Sequence, residues 1–273
     1  MRTRLSQVLF SQRSWLKRFV FIRRPVLLKL SDFKLYVRLD DWAIGGRIAL
    51  KRSYETHVTG VMRSLLRPGM VVVDIGANIG YYSLLAASRI GDSGKVIAFE
   101  PGAENAALLT RSAQANGFDN VVVHPYAVSD ADEIVGFNMD DSNGQIKPGD
   151  PADWASQVQT IILDKFLAAE PRIDLLKMDI EGAEGRALRG MQQVIRQHQP
   201  IIFSEFTPTA LPIISEIAPA DYLNLLRAPG YDLFVLDRTG GRSTTPQSNA
   251  QIMAYFAGPR VPHHLDLLAL PAS

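Results

Sequence analysis

The chain has 273 residues, 47% of them hydrophobic and 21% charged, a globular composition that excludes wholesale disorder. It has no cysteine, which excludes disulfides, thiolate metal sites and a cysteine nucleophile, and fits a cytoplasmic protein. The net charge of +1 hides an asymmetry: residues 1–38 carry ten Lys or Arg against Asp32 alone, a surplus of +9, so the remainder carries −8.

A basic arm on an acidic body suits an anionic partner, or an arm folded back on its own domain. Leu5, Val8, Leu9, Trp15, Leu16, Phe19 and Val20 roughly follow helical spacing. We read an N-terminal helix packed on the domain, with contact to a membrane surface or a lipid-linked acceptor as the alternative, which would make the protein membrane-peripheral. Gln12, Arg13, Lys17 and Arg18 interrupt the apolar core that a secretory signal needs. No run approaches the ~18 apolar residues of a membrane span.

Residues 33–38 alternate as a strand, and residues 54–66 read as a helix leading into Pro68-Gly69. From Met70 strands and helices alternate. Strands are expected over residues 70–74, 95–100, 120–126, 134–138, 159–163, 173–178, 200–206, 231–236 and 251–256. Helices are expected over 81–90, 103–116, 164–169, 183–197 and 220–228. Residues 140–157, rich in Gly, Pro and polar side chains, read as a loop, and the chain from Ala257 reads as a tail with few core signals. The pattern predicts an α/β fold: a doubly wound, mostly parallel, Rossmann-like sheet with a basic N-terminal extension. The expected divisions are an extension at 1–53, a main domain at 54–260 and a tail at 261–273.

Ligands of such sheets bind at the carboxyl ends of the strands. Here those ends are acidic: Asp74, Glu100, Asp130, Asp179 and Glu205. The turn Asp74-Ile75-Gly76-Ala77-Asn78-Ile79-Gly80 lacks the three-glycine fingerprint of dinucleotide binders and the Gly-Lys-Ser/Thr of triphosphate binders. A carboxylate at Asp74 repels a pyrophosphate but attracts a cation, and Glu100 can accept both hydroxyl hydrogens of a ribose. A cationic amino-acid end, a ribose and no phosphate describe S-adenosylmethionine. Adenine would lie near residues 127–130. The plainer alternative is that Asp74 and Asn78 only cap the turn and Glu100 is a surface acid.

At these residues the sequence resembles the FkbM family of S-adenosylmethionine-dependent methyltransferases. The resemblance rests on VVVDIGANIGYYSLLAA, VIAFEP, YAVSD, LLKMDIEGAE and IIFSEF, with SYETHV at residues 53–58 and Leu163-Asp164 in support. It covers about residues 54–256. It implies a cofactor loop at Asp74, Gly76, Asn78 and Gly80, a ribose contact at Glu100, and a methyl-transfer cleft at Asp179 and Glu181. The full expected cofactor set adds Ala77, Tyr81, Pro101, Ala127, Val128 and Asp179. The family's range implies O-methylation of a small molecule, sugar or glycan.

A neutral hydroxyl is a poor nucleophile, so an acceptor needs a base or a metal. Asp179 and Glu205 end neighbouring strands and open into one cleft, with Glu181 on the turn. These three are the candidate catalytic residues, and Asp179 with Glu205 would be the ligands if Mg²⁺ were used. The alternative for Asp179 and Glu181 is capping of the following helix. His57 is a weaker base candidate and His124 reads as a packed strand residue. A dinucleotide oxidoreductase lacks its glycine spacing here, and a non-catalytic binding protein would not need acids at every strand end. Nucleic acid is disfavoured as an acceptor, since no RNA-binding motif is visible.

Overall fold

The computed structural model describes residues 24–140, 143–147, 149, 154, 156–237, 241–257 and 262–272. The expected N-terminal helix over residues 5–20 lies outside them. The chain opens with a hairpin, β1 (Val26–Lys29) and β2 (Lys34–Val37), followed by helices α1 (Gly45–Lys51) and α2 (Thr56–Leu65). Alternating units follow: β3 (Val71–Ile75), α3 (Tyr81–Ile90), β4 (Lys95–Phe99), α4 (Ala103–Asn116) and β5 (Val121–His124). An excursion of β6 (Ala127–Val128), β7 (Ile134–Asp140), β8 (Asn143–Lys147) and β9 (Ser156–Ile161) leads to α5 (Leu163–Phe166). Next come β10 (Leu175–Met178), α6 (Glu184–Arg189), α7 (Gln192–His198), β11 (Ile201–Phe206), α8 (Leu211–Ile214) and α9 (Pro219–Arg227). The chain closes with β12 (Tyr231–Asp237), β13 (Gly241–Arg242), α10 (Asn249–Ala254) and β14 (Leu265–Pro271).

The central sheet has the order β13-β12-β14-β11-β10-β3-β4-β5. From β11 to β5 it is parallel, and β14 runs antiparallel to both β11 and β12. Successive side chains of a strand point to opposite faces, and both faces are covered. Val72, Val96 and Ala98 pack into one core with residues of α1 to α4, whereas Val73, Ile75, Ile97 and Phe99 join a second core with α6, α7, α9 and α10. That double burial explains why these strands read as continuous apolar runs. The chain leaves β3 toward β4 and β5, then returns to its other side at β10. The switch point therefore lies between the carboxyl ends of β3 and β10. A second sheet, β6-β9-β7-β8, is added beside it.

Residues 251–256 are not a strand: α10 occupies that stretch, opened by a capping box in which the Ser248 hydroxyl accepts from the Gln251 amide and the Gln251 side chain accepts from the Ser248 amide. The supposed tail holds β14, whose Leu265, Leu267, Leu268 and Ala269 are buried. The loop read at 140–157 contains β8 and the start of β9, and β7 pairs with both. The helix read over 183–197 is broken at Gly190-Met191, where a Cβ on Gly190 would stand 2.1 Å from the Ser129 carbonyl oxygen. Among the described residues no helix is long and apolar enough to cross a membrane.

Candidate functional site

A cavity of about 320 Å³ opens at the switch point, a size suited to a cofactor or a small ligand. The turn after β3 forms one wall through Gly76, Ala77 and Asn78. Gly76 has φ +77°, and a Cβ there would meet the Asp179 carbonyl oxygen at 2.0 Å, so this turn packs on the end of β10 only with glycine. Glu100, just past β4, braces the turn. Its Oε2 accepts from the Asn78 amide and its Oε1 from the Gly102 amide, each at 2.8 Å. Burial lifts its carboxyl to about 7 against the lowering effect of those bonds. A third bond, from the Asn105 side chain, also lowers it, which leaves the carboxylate about one of its roughly four acceptor positions for a ligand hydroxyl.

Tyr81, Pro101, Ala127 and Val128, which the sequence offers as cofactor contacts, also line the cavity. Asp74 and Gly80 do not. Asp74 is only 1% exposed and lies behind the turn, where its Oδ2 accepts from the Ser83 hydroxyl at 2.6 Å. It stands opposite Lys177 in the β3–β10 ladder, so the cation it attracts is internal rather than a ligand ammonium. Gly80 precedes α3, and Leu109 would clash with a Cβ there. Asp130 is also taken up elsewhere, by Arg186 and Arg189 of α6.

The wall at the ends of β10 and β11 is acidic. Asp179, Glu181 and Glu205 all line it, as the sequence predicts, and Glu55 joins them. Burial, then Glu205 and Asp179, raise the Glu181 carboxyl to about 7. Its backbone is left-handed at φ +55°. That turn is held by Gln145, which donates to the Glu181 carbonyl oxygen at 2.6 Å, and by Glu184, which accepts from the Ile180 and Gly182 amides at 2.9 and 3.0 Å. Glu205 is raised by burial and by Asp179, opposed by His264, whose Nδ1 lies 2.9 Å from Glu205 Oε1. Glu55 is raised by burial, then by Asp179 and Asp266, and accepts from the Tyr82 hydroxyl at 2.7 Å.

Lys177 balances these acids. Its ammonium is 3.0 Å from Asp179 Oδ2 and 4.7 Å from the centre of the Tyr82 ring. Burial lowers its pKa, but Asp179, Asp74 and Glu55 outweigh that and leave it raised, so the ammonium stays charged. Sequence reasoning passed over Lys177, although a lysine in an otherwise apolar buried strand is a signal that an acid waits nearby. It also missed His264 and Asp266, which enter on β14 and its approach. His57 is not in the cavity; it meets Asp266 at 2.7 Å. His124 stacks on Phe99, with ring centres 5.3 Å apart.

The metal expectation does not fit these residues. Asp179 is taken by Lys177 and Glu205 by His264, and among the described residues no cluster of three or more His, Asp or Glu is arranged to hold a metal.

The family model of the methyltransferase FkbM domain matches residues 74–233. The chain belongs to the FkbM methyltransferase family. The match begins at Asp74, includes the turn, Glu100 and the acidic wall, and ends in β12. A methyltransferase FkbM of Methylobacillus flagellatus is similar in structure, at 17% identity over 82% of this chain and 52% of that one, with a TM-score of 0.47. A putative rRNA methylase of Clostridium thermocellum is similar at 10% identity over 79% of this chain and 94% of that one, also with a TM-score of 0.47. A segment of 48 residues is 44% identical to the ribosomal RNA large subunit methyltransferase E of Chromohalobacter salexigens and spans 23% of that protein.

Proposed function

We propose that the protein transfers a methyl group from S-adenosylmethionine to a hydroxyl of a small molecule, sugar or glycan. The observation that carries this reading is one continuous cavity with two chemically different ends. Gly76, Asn78 and Glu100 form an end suited to a ribose, and Asp179, Glu181 and Glu205 form an acidic end. S-adenosylmethionine supplies an electrophilic methyl when bound. Glu100 then holds the ribose hydroxyls, Tyr81 and Pro101 flank that end, and Ala127 and Val128 give an apolar surface for the base. Asp179, fixed by Lys177, orients the acceptor. Glu181 takes the acceptor's proton: a carboxyl near 7 is a stronger base than an ordinary glutamate and is still half ionised at neutral pH.

The acidic wall favours a polyol over a polyanion, because carboxylates accept hydroxyl hydrogens and repel phosphates. The segment shared with an rRNA methyltransferase supports a nucleic-acid acceptor as the second reading. Calorimetry with S-adenosylmethionine and with NADH tests the cofactor assignment, and binding of NADH alone would overturn it. Release of labelled methyl to sugar alcohols or to RNA separates the two acceptors.

A further inference from the structure

One surface beside the cavity is not used by this chemistry. Helix α1 buries Ile48, with Ile44 buried at its N-cap, and turns its other side outward. Arg47, Leu50 and Lys51, at spacings of three and four, share that outer face. Trp42 lies over it, since a Cβ on Gly46 would meet the Trp42 ring at 3.1 Å and Gly46 is one turn before Leu50. Trp42 is 63% exposed and Leu50 81%. Arg52, at the end of the helix, is also exposed. Among the described residues Arg47, Lys51 and Arg52 have no ion pair. The neighbouring acids are occupied: Asp40 pairs with Arg38, and buried Asp41 accepts from the amides of Ala43, Ile44 and Gly45. The face thus carries two large apolar side chains among three cations and no exposed acid. Ala43, Ile44 and Arg47 also border the cavity, so the face forms part of its rim.

We propose that this face seats on an anionic lipid bilayer and sets the cavity mouth against the membrane surface. A tryptophan and a leucine projecting from a cationic helix insert between headgroups while the cations neutralise the lipid charge. The body beyond residue 38 carries a net −8 even with these three cations counted, so an anionic surface favours this cationic face over the body as a whole. An RNA strand would use the cations and could stack a base on Trp42, but it gives no return for a leucine held almost wholly in water. The acceptor that follows is one presented at a membrane surface, such as a hydroxyl of a lipid-linked sugar; that part rests on the methyl-transfer reading of the cavity.

The test is co-sedimentation of the full-length protein with vesicles of phosphatidylcholine alone, or with roughly one-third phosphatidylglycerol. Wild type is expected in the pellet only with the anionic vesicles. Trp42→Ser with Leu50→Ser, and separately Lys51→Glu with Arg52→Glu, should each weaken binding by roughly tenfold or more. Trp42→Phe with Leu50→Met should restore it, and calorimetric affinity for S-adenosylmethionine should be unchanged in all three. Wild type that stays in the supernatant, variants that sediment like wild type, or wild type that shifts an RNA oligonucleotide but not vesicles would each overturn the docking proposal. Failure of wild type to bind S-adenosylmethionine would count against the function and leave the vesicle result standing.

Discussion

At the scale of single residues, the cleft works by moving carboxyl groups away from their ordinary acidity. Glu100 and Glu181 both sit at about 7, and burial is the leading cause in each, yet the proposed function gives them different tasks. On the proposed reading, Glu100→Ala removes the acceptor for the ribose hydroxyls together with the brace of the Asn78 amide. S-adenosylmethionine should bind more weakly by about 1.5–3 kcal/mol, the range for hydrogen bonds to a charged group, and unchanged calorimetry would remove Glu100 from the cofactor site. Glu181→Gln keeps the shape but cannot take a proton. Turnover should fall by roughly 10²–10⁴-fold while cofactor affinity holds. If Glu181 is the base, as proposed, it acts only when ionised, so wild-type turnover should drop as pH falls below about 7, and the glutamine variant should lose that limb. An unaltered pH profile would pass the proton to Asp179 or to the Glu205–His264 pair.

Secondary-structure elements explain what the sequence could and could not show. The strands β3 and β4 were legible because burial on both faces leaves a nearly continuous apolar run, and β10 because Lys177 alone breaks its run; the acids after β4 and β10, Glu100 and Asp179, marked the cleft. Asp74 looked the same as Glu100 from the sequence, yet register sets it opposite Lys177, and only the sheet reveals that pairing. Helix α10 carried its own signal in Ser248 and Gln251, which the apolar pattern of residues 251–256 masked. Strand β14 had no local signal beyond a short leucine-rich run, since its partners lie far away in the chain. Strand β7 was read at 134–138, but its partner β8 was hidden by its glycine and polar content, and Phe137, Gly144 and Ile146 of this pair line the cavity. The turn after β3 gives the sharpest test at this scale. Gly76→Ala puts a Cβ 2.0 Å from the Asp179 carbonyl oxygen at φ +77°, so the turn must part from β10. Melting temperature and cofactor affinity should both fall; loss of neither would mean the two segments tolerate separation.

For the whole molecule, these buried acids make stability depend on pH in an unusual direction. Glu100, Glu181 and Glu184 have folded values near 7, 7 and 8 against an ordinary 4.5, with burial the leading cause in each. A raised carboxyl binds its proton more tightly in the folded state. Its contribution is therefore complete at about pH 4.5 and below and shrinks as pH rises through 7 to 8, by up to about 1.4 kcal/mol per pH unit for each group. Asp32 and Asp130 act the other way: burial alone would raise them, but hydrogen bonds, for Asp130 from Arg189 and Arg186, leave both lowered, so they weaken the fold only in stronger acid. Melting curves of the ligand-free protein should show a decline from about pH 5 to pH 8. Glu184→Gln should flatten its upper end, and a melting temperature rising over that interval would contradict the burial of these groups.

The position of β14 has a kinetic consequence. It lies between β11 and β12 but follows both in the chain, so two strand edges stay open until it arrives. Loop closure must precede that pairing, which makes it slower than the local β3–α3–β4 unit. Pulse-labelled hydrogen exchange during refolding should protect the amides of β3 and β4 before those of β14, leaving a transient species with half a sheet and its acidic wall unfinished. Such a species exposes unpaired edges, so aggregation during refolding should rise with protein concentration until β14 docks and brings His264 to Glu205.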